Sequence, residues 1–325
     1  MALPTDPATQ PATQTVVRQI VYSGKSGSLF GLYIVNLILT VFTLGIYHFW
    51  AKAKVRRFVC ENTQFMGEPF AYLGNGKEIF FSSLKFAFKI ILPTALVLGI
   101  VSGVMPKLAP LVGLLQLIFY MVIYLYAKLS GLRYRVNRIS WRGIRFALRA
   151  ERKTYVKLIA KIAVLNVITL GLYRPHGDAA LAKLFGNNLY YGNLPGRYQG
   201  DKADLTKNYL LYWLLCIPTL TISMFWYRAR LYRHLAKSFS LGPMDFRYNI
   251  TGGQLFRLTF GNGMIAFFTW GLLAHFIIQR NMRKFSSTLK LRGTPDFTQI
   301  QKAATEQDAA GAADYFDVDG DFGFG

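Results

Sequence analysis

The side chains able to do chemistry in this chain are four histidines, two cysteines, 16 carboxylates and 38 Lys and Arg. Their spacing assembles no reaction centre. His48, His176, His234 and His275 occupy unrelated positions, and no HExxH pair sets two of them on one helical face, so no metal site is expected. Cys60 and Cys216 have no metal-ligand spacing and read as plain thiols. No carboxylate falls within an apolar run, and none lies between Glu78 and Glu151, which argues against a carboxylate-based proton or sodium relay. Asp317, Asp319 and Asp321 alternate near the end of the chain, but the glycine and the twelfth-position Glu of a calcium loop are missing. No phosphate-cradling glycine loop, GxSxG elbow or carboxylate pair occurs. The expectation is a protein without catalytic residues, metal or cofactor.

The cations are the informative set. Lys52, Lys54, Arg56 and Arg57 follow Trp50 directly; further clusters lie over 133–153 and at Arg228, Arg230 and Arg233. A net charge of +22 in a soluble chain would suggest nucleic acid. Here each cluster adjoins an apolar run, and attraction to anionic lipid head groups is the simpler reading. Lys52, Lys54, Arg56, Arg57 and Trp50 are therefore the candidate head-group residues. Membrane lipids, not nucleic acid, are the expected partners; nothing in the pattern sets an oligomeric state.

The elements that position these groups are hydrophobic. Of the 325 residues 52% are hydrophobic and 17% charged, against about 25% charged in an ordinary soluble domain. Uncharged intervals cover 26–51, 90–106, 108–127, 162–173, 208–227 and 258–279. Four reach the roughly 20 residues of a membrane crossing. The interval 90–106 is slightly short, and 162–173 amounts to only about 18 Å of helix. The first residues, MALPTDPATQPATQTVVR, lack an apolar signal segment and read as a disordered cytoplasmic lead.

A phrase recurs at the ends of three runs: TLGIY at 43–47, TLGLY at 169–173 and TWGLL at 269–273. Nineteen residues beyond each Thr stand Asn62, Asn188 and Thr288, followed by Gly67, Gly192 and Gly293 and then Pro69, Pro195 and Pro295. Extended stretches flank each copy: QIVYSG (19–24), GIRFALR (143–149) and DFRYNI (245–250) before it, and 70–72, 197–199 and 296–298 after it. One module thus reads strand, apolar helix, break, basic helix, Gly/Pro turn, strand. Gly45, Gly171 and Gly271 can end a helix at positive φ. Thr43, Thr169 and Thr269 can bond back to a carbonyl of the preceding turn. These six are the expected structural hinges. Asn36 and Asn262, each seven residues ahead of a hinge Thr, read as hydrogen-bonding glue between helices.

The segment TLGIYHFWAKAKVRRF, the second TLGLY and FRYNITGGQLF resemble the YjgN-like family of bacterial inner-membrane proteins, over roughly 19–302. The resemblance implies a multi-pass inner-membrane protein and carries over no reaction, ligand or catalytic residue. The fold expected is an all-α polytopic membrane protein with three pseudo-repeats, in which short strand pairs flanking each repeat form a small cytoplasmic β layer. The boundaries read as a lead (1–18), a first module (19–77), a transmembrane helical hairpin (78–130), a second module (131–206), a membrane helix with basic linker (207–240), a third module (241–301) and a flexible acidic tail (302–325).

Six simple crossings put more Lys and Arg outside than inside, against the positive-inside rule. If the TLG runs return to the side they entered, and the fifth run breaks at Pro218, only the loop 105–109 with Lys107 lies outside. The expected function is non-enzymatic: a basic cytoplasmic face engaging anionic lipid or amphiphile. The alternative is a transporter or channel for a small molecule or lipid at the interface between repeats.

Overall fold

The computed structural model describes residues 17–105, 107, 109–293 and 300. Its chain alternates short strands with helical excursions. β1 (Val17–Tyr22) leads into α1 (Ser26–Phe42) and α2 (His48–Glu61), which return to β2 (Thr63–Phe65) and β3 (Glu68–Tyr72). A continuous helix then runs through α3 (Gly76–Phe86), a π-helical turn (Ala87–Ile91) and α4 (Leu92–Val104). It comes back as α5 (Ala109–Asn137) to β4 (Ile139–Trp141) and β5 (Ile144–Leu148). α6 (Arg152–Ile168) and α7 (Arg174–Asn187) connect to β6 (Leu189–Tyr191) and β7 (Leu194–Tyr198). The short α8 (Lys202–Thr206) and α9 (Tyr209–Leu214) precede α10 (Met224–Ser238), β8 (Phe239–Leu241) and β9 (Met244–Tyr248). Finally α11 (Gly252–Phe268) and α12 (Ala274–Thr288) return to β10 (Leu289–Arg292).

The ten strands close into an antiparallel barrel, in which each strand pairs with its sequence neighbours and β10 pairs with β1 through Val17↔Arg292 and Gln19↔Lys290. One rim is made of four two-residue hairpin turns. At Met66-Gly67 and Arg142-Gly143 both residues have positive φ, the geometry that matches strand twist. At Gly192-Asn193 and Gly242-Pro243 the leading glycine supplies the positive φ. The opposite rim emits five helical hairpins, one between each pair of strands not joined by a tight turn.

Alternation along the strands puts most apolar side chains inside and most charges outside. Ile20, Phe65, Trp141, Tyr191, Leu241 and Leu291 pack together with Ile300 in the barrel interior. Two polar groups carried in are paired: the Tyr191 hydroxyl donates to the Trp141 carbonyl (3.0 Å) and the Trp141 indole N–H to the Glu68 carbonyl (3.2 Å). The Arg18 Nε, on the face of β1 that carries Ile20, is buried without a partner among the described residues. Arg145, Arg197, Arg247, Lys290 and Arg292 point outward and are exposed. A membrane barrel is apolar on its outside; this one has the reverse polarity, with an apolar interior and charges on its outer face.

The all-α polytopic expectation therefore does not hold. The strands do not form a small accessory layer; they close the ring on which every helix is mounted. Three pseudo-repeats become five strand–helix–helix–strand units. Among the described residues only two helices are long and apolar enough to cross a membrane, Gly76–Val104 and Pro110–Asn137. Six apolar runs yield only two helices of spanning length because an apolar run that bends back on itself has the composition of one that crosses. Val17 and Arg18, read as part of a disordered lead, lie in β1. The rest of that lead, Pro295, the stretch 296–298 and the acidic tail with Asp317, Asp319 and Asp321 fall outside the described residues.

Candidate functional site

Four of the five hairpins share one turn. In the first, the α1 helix ends with the Leu44 N–H donating to the Val41 carbonyl (3.1 Å) and the Gly45 N–H to the Thr40 carbonyl (2.7 Å). That pair of bonds is a Schellman closure. The same bonds recur at Leu170 and Gly171, at Leu220 and Thr221, and at Trp270 and Gly271. Each turn requires two consecutive left-handed residues, with φ of +49° and +92° at Leu44 and Gly45 and of +47° and +68° at Leu220 and Thr221. A threonine closes each one from inside. The Thr43 hydroxyl donates to the Leu39 carbonyl (2.7 Å) and accepts from the Tyr47 N–H (2.9 Å). Thr169, Thr219 and Thr269 repeat both bonds. The fourth turn, TLTIS at 219–223, escaped the sequence reading because Thr221 stands where the others have glycine. The available signal was spacing: Thr169, Thr219 and Thr269 lie fifty residues apart.

The tips of these hairpins are apolar and uncovered. Leu44 and Trp270 are each 94% exposed, and Phe42, Val167, Ile217, Leu220 and Phe267 are also largely exposed. The long hairpin of α3–α4 and α5 is uncovered in the same way. Apolar patches of this extent mark contact with lipid or with another protein. Neighbouring hairpins touch around the ring: α12 meets α1, α2 meets α3, α5 meets α6, α7 meets α8 and α10 meets α11. Two of these contacts tie one hairpin to the turn of the next, through Tyr33 to the Gly271 carbonyl and Tyr209 to the Gly171 carbonyl, both at 2.9 Å. Asn262 does bridge two helices, donating to Asn281 (2.7 Å), whereas both polar atoms of the Asn36 amide are buried without a partner among the described residues.

Behind the tips come the cations. Lys52, Lys54 and Arg57 are exposed on α2. The Lys54 ammonium donates to the Tyr47 hydroxyl (2.6 Å) and sits over that ring, and Arg56 donates to the Tyr72 hydroxyl (3.2 Å). Arg57 occupies the tenth position of its helix, as do Lys183, Arg233 and Arg283 of α7, α10 and α12. Trp50 is placed differently from a free head-group ligand. It stacks on Tyr47 and covers Gly76, where a Cβ would come within 2.6 Å of the Trp50 backbone. Trp226 covers Gly252 in the same way. Cys60 is half-buried, with its thiol pushed up by burial to about 11, far from the range of a reactive thiolate.

One set of titratable groups went unnoticed in the sequence because its members are split between two helices some fifty residues apart, α7 and α10. Between the third and fourth hairpins the Tyr227 hydroxyl donates to Asp178 (2.7 Å), and Arg174 lies 3.8 Å from the same carboxylate oxygen. Burial raises the Asp178 carboxyl, while the Tyr227 hydrogen bond and then Arg174 and Arg228 act the other way. His234 and His275 are buried, on different hairpins. No group of three or more metal-binding side chains occurs among the described residues.

A closed barrel carrying apolar-tipped helical hairpins is the architecture of this chain. The chain belongs to the family described as bacterial protein of unknown function (DUF898), whose model matches residues 18–225 and 216–318. Among curated proteins it is similar to the inner membrane protein YjgN of Escherichia coli O157:H7, at 31% identity over 46% of this chain and 36% of that protein. YjgN of Escherichia coli K12 and of Salmonella typhimurium LT2 match at 30% and 31% over the same shares. The chain thus aligns with little more than a third of the length of these relatives. No solved structure matches it.

Proposed function

We propose that this is a non-enzymatic protein of the bacterial inner membrane whose hairpins sit in the cytoplasmic side of the bilayer and whose basic belt engages anionic lipid. The observation that carries this reading is the uncovered apolar tip on every hairpin, with cations set behind it. α1 and α11, of 17 residues each, reach about 25 Å, short of the roughly 30 Å hydrocarbon core. They dip and return, while the long hairpin crosses with Lys107 at its far turn. The positive-inside rule then puts the barrel and its outward Arg and Lys in the cytoplasm. The relatives named as inner membrane proteins support the location. A conduit along the barrel axis is disfavoured because packed side chains fill it.

Reversing charge at Lys52, Lys54, Arg56 and Arg57 together is expected to lower the number of anionic lipids retained by the purified protein in native mass spectrometry. Retention equal to that of the unmodified protein would count against the belt.

A further inference from the structure

The four short hairpins are not equivalent where they meet. α1, α6 and α11 are unbroken 17-residue helices, but the outgoing arm of the fourth hairpin is interrupted. Asn208, at φ +66°, separates α8 from α9, and α9 has only six residues. The wall that a full helix builds elsewhere is cut short here. Two adjoining openings of about 300 and 490 Å³ result, sharing Arg174, Cys216 and Met224.

The lining is of two kinds. Ile162, Trp213, Met224 and Phe225 form an apolar wall that reaches the Gly171 turn, where the Trp213 indole N–H donates to the Leu170 carbonyl (2.8 Å). Arg174, which lines both openings, and Arg228 face Asp178, the one carboxylate lining them among the described residues. That carboxylate already accepts from Tyr227, and its 3.8 Å separation from Arg174 is too long for a hydrogen bond. Two guanidinium groups against one carboxylate leave a positive charge uncompensated among the described residues. Asn166 adds a buried side-chain oxygen that has no donor among the described residues. The cleft therefore offers cations for an anion, an acceptor for a hydroxyl or amine, and an apolar wall for a chain.

We propose that the cleft between the third and fourth hairpins binds one anionic phospholipid of the surrounding membrane, its phosphate between Arg174 and Arg228 and an acyl chain along Ile162, Trp213 and Met224. The head group donates a hydroxyl hydrogen bond to Asn166. A soluble phosphate would satisfy the guanidinium groups and leave the apolar wall bare; a zwitterionic lipid would return the charge balance to a surplus. Arginine suits the role because its planar fork grips phosphate oxygens in pairs. The assignment rests on the reading that the hairpins lie in lipid, and it uses residues distinct from the belt on α2.

The test is native mass spectrometry of the full chain, delipidated in detergent and reloaded with an equal mixture of phosphatidylglycerol and phosphatidylcholine. One phosphatidylglycerol should persist at collision energies that strip phosphatidylcholine. Arg174→Gln with Arg228→Gln should reduce that retained species at least tenfold. Met224→Trp, which fills the cleft and leaves every charge in place, should do the same, and it decides the matter if the double variant elutes as an aggregate. Undiminished retention in Met224→Trp, or displacement of the lipid by millimolar glycerol phosphate, would overturn the site. Charge reversal at Lys52, Lys54, Arg56 and Arg57 in the same spectra reports on the belt separately: it should thin the loosely held anionic lipids and leave the tightly held one.

Discussion

Thr221 occupies a backbone conformation that its side chain opposes. The equivalent positions carry Gly45, Gly171 and Gly271, and a β-branched residue at φ +68° is a steric outlier. The left-handed region costs an L-residue about 1–2 kcal/mol, of which glycine recovers part after its greater unfolded freedom is counted. Thr221→Gly is therefore expected to stabilise the fourth hairpin by about 1 kcal/mol, read as a higher thermal midpoint in detergent. A lower midpoint would mean that the hydroxyl contributes more than the strain costs. At this scale much of the site was legible. The back-bonding of Thr43, Thr169 and Thr269 and the positive φ of their glycines follow from residue type alone. The placement of Trp50 did not. An aromatic beside four cations reads as an interfacial anchor, and only the approach of Gly76 from the next hairpin reveals it as a packing wedge.

The hairpins hold a testable geometry. With Cys60 and Cys216 replaced by serine, a cysteine at Lys107 should react with an impermeant thiol reagent added to the periplasmic side of intact cells. Cysteines at Leu44, Leu170, Leu220 and Trp270 should resist it; brisk labelling at these tips would show that the runs cross. The sequence favoured return over crossing on charge grounds. It could not supply the constraint that β1 and β2, as antiparallel neighbours, make α1 and α2 leave and re-enter by the same rim, as the long hairpin between β3 and β4 also does; helix length then sets how deep each hairpin reaches. A break in the fourth hairpin was legible from Pro218, but its kinship with the TLG turns was hidden because Thr221 replaces the glycine and blurs the phrase.

Closure of the ring is the property least visible in the chain. Its strands are three to six residues long, too short for the alternating pattern to show which neighbours they choose. Pairing between β1 and β10 joins residues that no local signal connects. Cysteines at Gln19 and Lys290, opposite one another on the outer face, should oxidise to a disulfide that speeds migration on a non-reducing gel. A pair at Gln19 and Arg145 should not; equal cross-linking of both pairs would refute the barrel order. This seam also sets a timetable for biosynthesis. β1 emerges early and β10 follows some 270 residues later. At elongation rates of about 5–20 residues per second, β1 spends on the order of ten seconds or more with one edge unpaired. All five hairpins are made during that wait, so on the proposed reading the bilayer serves as the jig that holds the open ring until its last strand is translated.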